Sequence, residues 1–129
     1  MKLNPECIRD ILFTIEDESS FDDVFNYDGE NPQERLKKYS PNEVMYHLRQ
    51  ASYSDLITKP QYFYGGYACS VADLTPTGHE FINNIRQDTN WNKTKEVAKS
   101  VGSSSLRVLI DISKSVITNL INQQFYQGQ

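Results

Sequence analysis

The sequence is poor in the residues that specialised chemistry needs. Its 129 residues include two cysteines, Cys7 and Cys69, far apart in the chain. A chain of this length needs no disulfide staple, and two thiols without nearby histidines cannot make a four-ligand zinc site. Cys7 falls in an apolar helical pattern and Cys69 in a strand-like run, so both are expected as buried, reduced thiols. The two histidines, His47 and His79, stand apart with no spacing that suggests a metal site. His47 flanks an apolar stripe and reads as a packed, hydrogen-bonded side chain; His79, in the first turn of a helix, reads as packing or capping. No Gly-x-Ser-x-Gly, Walker-type loop or Gly-x-Gly-x-x-Gly occurs. An enzyme, a metal and a cofactor are therefore not expected. Long apolar runs are missing too. The longest uncharged stretch, 115–129, is broken by Thr118, Asn119, Asn122, Gln123 and Gln124 and cannot span a bilayer. The opening Met-Lys-Leu-Asn-Pro enters a charged amphipathic segment directly, unlike a signal peptide. A soluble, cytoplasmic chain without a membrane partner is the expectation.

What is present is aromatic and unevenly charged. Hydrophobic residues make up 38%, but eight Tyr and six Phe allow one modest core. The net charge of −4 is not the footprint of a non-specific nucleic-acid binder. That average conceals a pattern. Residues 1–31 carry −7, residues 32–60 carry +2, residues 61–89 carry −2 and residues 90–129 carry +3.

Local signals give the order of elements. Asn4 and Pro5 suit the cap and first position of a helix, and Ile8, Ile11, Leu12 and Ile15 form its apolar stripe. Glu16, Asp17 and Glu18 end it at the unfavourable end of the helix dipole. Residues 18–31 are acidic and turn-rich, with Phe21, Val24, Phe25 and Tyr27 able to form a short strand or pinned loop. Asn31-Pro32-Gln33-Glu34 and Ser40-Pro41-Asn42-Glu43 both match a capping box, predicting a helix to about Lys38 and a second over 41–52. Gln61–Tyr64 and the run from Tyr67, separated by Gly65-Gly66, predict a hairpin. Thr75-Pro76 restarts a helix through Phe81, Ile82 and Ile85. A further helix stops at Gly102, and the serines at 103–105 offer a cap for the last one. That last helix repeats Leu106, Ile110, Ser113, Ile117 and Leu120 at coiled-coil spacing.

A helix-turn-helix followed by a hairpin is the winged-helix arrangement. The expected fold is α+β: a winged helix-turn-helix with a two-stranded wing in residues 1–88, an acidic insert at about 18–31, and a C-terminal helical extension in residues 89–129.

Three segments carry a family resemblance. They are Met1-Lys2-Leu3-Asn4-Pro5 through Ile8-Arg9-Asp10-Ile11-Leu12; Tyr46-His47-Leu48 through Leu56-Ile57; and Leu74-Thr75-Pro76-Thr77-Gly78-His79-Glu80-Phe81 with Ile85-Arg86-Gln87-Asp88 and Trp91-Asn92-Lys93-Thr94-Lys95. Together they resemble the domain of unknown function 2513 family, found mostly in phages and prophage-bearing chromosomes. The resemblance implies a winged-helix fold and a phage or prophage origin, and carries over no catalytic residues. The chain departs from the family pattern in its longer acidic insert. It also departs at Tyr53-Ser54-Asp55, where related winged helices tend to have a small residue, often Gly.

The locally basic segment holds Arg35, Lys37, Lys38, Arg49 and Lys59. In a helix-turn-helix the second helix enters the major groove. Asn42, Tyr46, Arg49 and Gln50 project from its outer side, and Asn, Arg and Gln are types that read base edges. Lys37 and Lys38 are expected near phosphates, and the wing residues Tyr64, Gly65 and Gly66 against the DNA backbone. Leu106, Ile110, Ile117 and Leu120 are expected to pair two subunits. The resulting expectation is a dimeric, DNA-binding regulator with double-stranded DNA as partner. The alternative is a protein-binding module or inhibitor of a host protein that uses the acidic segment 16–30. Asp22, Asp23, Asp28 and Glu30 lack calcium-loop spacing and read as a solvated loop.

Overall fold

In the computed structural model, which describes residues 1–103 and 105–127, Asn4 caps α1 (Pro5–Glu18). Its side-chain oxygen accepts from the Glu6 N–H at 3.1 Å, and Pro5 takes the first helical position, where a missing N–H costs nothing. Cys7, Ile8, Ile11, Leu12 and Ile15 are all buried along one stripe. The acidic last turn is offset from outside the helix. Arg35 pairs with Asp17 at 3.0 Å, and the Gln33 amide donates to Glu18 at 2.8 Å.

Strand β1 (Phe25–Asp28) follows, with Phe25 and Tyr27 buried and Asn26 and Asp28 exposed. The helix expected from Asn31 to Lys38 is reduced to one 3-10 turn, Glu34–Leu36. The Asn31 capping box does not form. The flanking position belongs to Gln33, whose side chain does not cap the turn but donates to Glu18 and the Asn26 carbonyl. At the other end Pro41 holds Ser40 extended, so too few residues remain for a full turn sequence. Leu36 is the one buried anchor of the 3-10 turn.

Helix α2 (Pro41–Tyr53) forms as its cap predicts, with the Ser40 hydroxyl accepting from the Glu43 N–H at 3.1 Å. Val44, His47, Leu48 and Ala51 are buried, and α2 packs on α1. His47 is enclosed: Nδ1 donates to the Glu43 carbonyl and Nε2 accepts from the Asn4 N–H, each at 2.7 Å. The histidine thus ties the cap of α1 to α2. The helix ends in a Schellman motif, with Leu56 N–H on the Ala51 carbonyl and Asp55 N–H on the Ser52 carbonyl. Asp55 occupies the left-handed position that glycine favours, with φ at 58°.

Strands β2 (Gln61–Phe63) and β3 (Ala68–Val71) form the expected hairpin, with Tyr62 opposite Cys69. The connection is longer than Gly65-Gly66 alone, running from Tyr64 to Tyr67 with positive φ at Tyr64, Gly65 and Gly66. The expected two-stranded wing is also corrected. β1 pairs with β3, Phe25 opposite Val71 and Tyr27 opposite Cys69, giving an antiparallel three-stranded sheet in the order β1-β3-β2. Both thiols are free and buried. Burial, with help from Glu43 and Asp10, pushes the Cys7 thiol up to about 12, and burial pushes Cys69 up to about 11.

Thr75 caps α3 (Pro76–Ile85), its hydroxyl accepting from the Gly78 N–H at 3.0 Å. Gly78 has a steric reason: a Cβ there would lie 2.0 Å from the Leu56 carbonyl oxygen. The loop leaving α2 is further tied down by an Ile57–Leu74 bridge and by Thr58 N–H on the Asp73 carbonyl. The first compact unit is Met1–His79 and the second is Glu80–Gln129.

In the second unit α4 (Asp88–Ser100) ends at Gly102, whose φ is 75°, in the same Schellman pattern as α2. Ser105 caps α5 (Leu106–Gln127) through the Val108 N–H; Ser104 lies outside the described residues. α4 and α5 pack on each other. Their buried residues include Trp91, Thr94, Ala98, Leu106, Leu109, Ile110 and Ser113, and the Thr94 and Ser113 hydroxyls donate to carbonyls of their own helices.

Candidate functional site

Helix α2 carries two stripes. Val44, His47, Leu48 and Ala51 face the core. Asn42, Met45, Tyr46, Arg49, Ser52 and Tyr53, at helical spacing on the other side, line a groove of about 520 Å³. Lys59, Pro60 and Tyr62 form its other wall, with Gly66 from the hairpin turn. The loop from Leu56 to Pro60, fixed by the Gly78 contact and the Ile57–Leu74 bridge, sets that wall against α2.

The groove is aromatic and cationic. The Arg49 guanidinium lies 5.7 Å from the Tyr46 ring centroid, and the His47 ring meets Tyr46 edge-on at 5.2 Å. Burial raises the Tyr62 hydroxyl above its ordinary value, with Cys69 adding to the shift and Arg49 opposing it. No carboxylate lines the groove, and neither Arg49 nor Lys59 forms an ion pair among the described residues.

The expected phosphate contacts, Lys37 and Lys38, do not line this groove. Lys37 pairs with Glu34 at 2.7 Å, holding that carboxyl below its usual range, and Lys38 pairs with Asp10 at 3.0 Å. Asp10 also accepts from the Tyr39 hydroxyl at 2.6 Å; burial, helped by that hydrogen bond and the Asp10 charge, pushes the pKa of the phenol well above its ordinary value. Gln50 is half-buried and does not line the groove. Of the expected reading residues, the structure gathers Asn42, Tyr46 and Arg49 in one place, with Gly66 from the wing. Tyr64 stands in the strained turn instead and is 83% exposed. Met45, Ser52, Tyr53, Lys59, Pro60 and Tyr62 were not anticipated as site residues. For Met45, Ser52 and Tyr53 the signal was available, since they continue the outer stripe of α2.

A second cleft, of about 610 Å³, is lined by Asp28, Gly29, Glu30, Pro41, Tyr64, Tyr67 and Ala68. A Cβ on Gly29 would meet the Pro41 ring at 2.8 Å, so glycine lets this acidic turn approach the N-terminus of α2. The Asp28 carboxylate accepts from the Glu30 N–H at 3.0 Å.

The expected dimer residues divide. Leu106 and Ile110 are buried within the chain and are not free to pair subunits, because this part of α5 packs with α4. Ile117 is half-buried and Leu120 exposed, and Ile121, Phe125 and Tyr126 extend the exposed apolar surface. Among the described residues no group of three His, Cys, Asp or Glu side chains is placed to hold a metal, and no helix is long and apolar enough to cross a membrane.

Comparison with known proteins gives a family but no further geometry. The sequence model of a family described as "Hypothetical protein (DUF2513)" matches residues 2–105. An uncharacterized protein of Haemophilus influenzae is 32% identical over 124 residues, spanning 95% of this chain and 98% of that protein. No solved structure matches the chain.

Proposed function

This chain belongs to the DUF2513 family, and we propose that it is a non-enzymatic, cytoplasmic winged-helix protein that binds double-stranded DNA through the α2–hairpin groove. The observation that carries this reading is the placement of Arg49 and Lys59 in one groove, with neither an ion-pair partner for them nor a carboxylate in its lining among the described residues. Cations held this way attract phosphate without first breaking an internal contact. The winged-helix reading is supported by the order α1, β1, 3-10 turn, α2, β2, β3 and by the strand order β1-β3-β2. A role as a phage or prophage regulator rests on the family resemblance. Dimerisation is supported by the exposed Leu120, Ile121 and Phe125 in a stretch of α5 without charge.

The test is fluorescence anisotropy on a labelled duplex across a salt series. Each neutralised phosphate contributes about −0.9 to the slope of log K against log salt, so two groove cations give about −2 per protomer and about −4 per dimer. Absence of binding at low salt contradicts the reading.

A second reading has its own observation. The Asp28–Glu30 cleft combines carboxylates with Tyr64 and Tyr67, a surface that suits a basic side chain of a host protein. A stoichiometric partner retained by the native chain and lost on neutralising Asp22, Asp23 and Asp28 would favour it.

A further inference from the structure

The groove differs from a surface that only presents a helix to a duplex. The outer stripe of α2 lies along a concavity, with Tyr46, Tyr53 and Tyr62 contributed by two elements around Arg49 and Lys59. Its volume of about 520 Å³ falls in the range of pockets that enclose small ligands. Tyr46 is held in place by the His47 edge and the Arg49 guanidinium, so its position is set before any ligand arrives. Tyr62 is 47% exposed and Tyr53 is 76% exposed, leaving ring surface for contact. Phenol faces beside cations are what a single strand needs: the rings stack on bases, and the cations follow the phosphates. Asn42 and Ser52 add hydrogen-bonding groups to the lining.

We infer that this groove receives an unpaired nucleobase of DNA, stacked on Tyr62 or Tyr53, with Arg49 and Lys59 on the adjoining phosphates. The inference rests on the DNA-binding reading and narrows its ligand from duplex in general to DNA with an unstacked base. A paired base keeps both faces covered by its neighbours and gains nothing from the tyrosines. An unpaired base exchanges water for ring contact.

Anisotropy titrations on three labelled DNAs test it: a perfect duplex, the same duplex with one unpaired thymine, and the single strand. The unpaired-base DNAs are expected to bind about tenfold more tightly than the perfect duplex, the order of one base–aromatic stack. Tyr62→Ala and Tyr53→Ala should remove most of that preference, weakening the unpaired-base DNAs more than the perfect duplex, and Tyr62→Phe should retain it. Far-ultraviolet circular dichroism checks that each variant is folded. Equal affinity for all three DNAs, or a preference untouched by both alanine variants, overturns the inference and leaves the DNA-binding reading standing. Failure to bind any of the three overturns both.

Discussion

Arg35, Lys37 and Lys38 each lie within ion-pair distance of an acid, Asp17, Glu34 and Asp10 respectively, whereas Arg49 and Lys59 line an open groove with tyrosines and, among the described residues, no carboxylate. The five residues count equally in a tally of charge, and they differ in what surrounds them. The acidic end of α1 meets Arg35, while Lys37 and Lys38 pair with Glu34 and Asp10. Asp17 and Glu18 meet Arg35 and Gln33, so part of the N-terminal negative charge is spent inside the unit. It does not reach the groove. Local net charge is therefore a poor guide here; the useful quantity is the number of cations left without partners.

The largest effect comes from removing the support of the open pair. Gly78→Ala would place a methyl carbon 2.0 Å from the Leu56 carbonyl oxygen, where backbone on both sides must move. Overpacking of this kind costs about 1–3 kcal/mol or more, and at a contact this close the upper end is expected. Denaturant melts should show a lowered midpoint, with groove binding lost alongside. An unchanged midpoint would mean that this contact does not fix the loop.

A smaller effect comes from opening the first group. Asp17→Asn releases Arg35 from a solvent-exposed pair, which alters stability by about 1 kcal/mol at most. Duplex affinity at low salt should rise about twofold if a freed Arg35 begins to attract phosphate. A larger gain would mean that the two groups are not separate surfaces. The smallest effect concerns the end of α2. Asp55 has φ at 58°, and Asp55→Gly is expected to raise stability by about 0.5–1 kcal/mol without altering DNA affinity. Paired chemical melts and titrations check both halves of that statement.

Much of the local architecture is legible in the residues. Asn4-Pro5, Ser40-Pro41 and Thr75-Pro76 mark three helix starts, and each cap side chain is engaged in the structure. Gly102 ends α4, and Ile8, Ile11, Leu12 and Ile15 are buried together. Asn31-Pro32 shows the limit of such signals. It reads as a further helix start, yet Gln33 is drawn to Glu18 and Asn26 by contacts distant in sequence, and only a 3-10 turn remains. Strand β1 was equally hard to fix. Phe25 and Tyr27 lie among turn-forming residues, and their pairing with β3 reaches more than forty positions along the chain. The groove was half legible. Asn42, Tyr46 and Arg49 follow from helical spacing, but Lys59 and Tyr62 come to face them only because the Gly78 and Ile57–Leu74 contacts set the loop after α2. The seam on α5 was legible as an apolar stripe. That α4 occupies the Leu106 end of it was not, because periodicity does not name the partner.

The most direct test pits the two groups of cations against each other. Duplex anisotropy would be measured for Arg49→Ala with Lys59→Ala in one chain and Lys37→Ala with Lys38→Ala in another. The account predicts a loss of at least about tenfold for the groove pair, equivalent to about 1.4 kcal/mol, and less than about threefold for the shielded pair. Equal losses, or a larger loss from Lys37 and Lys38, would contradict it.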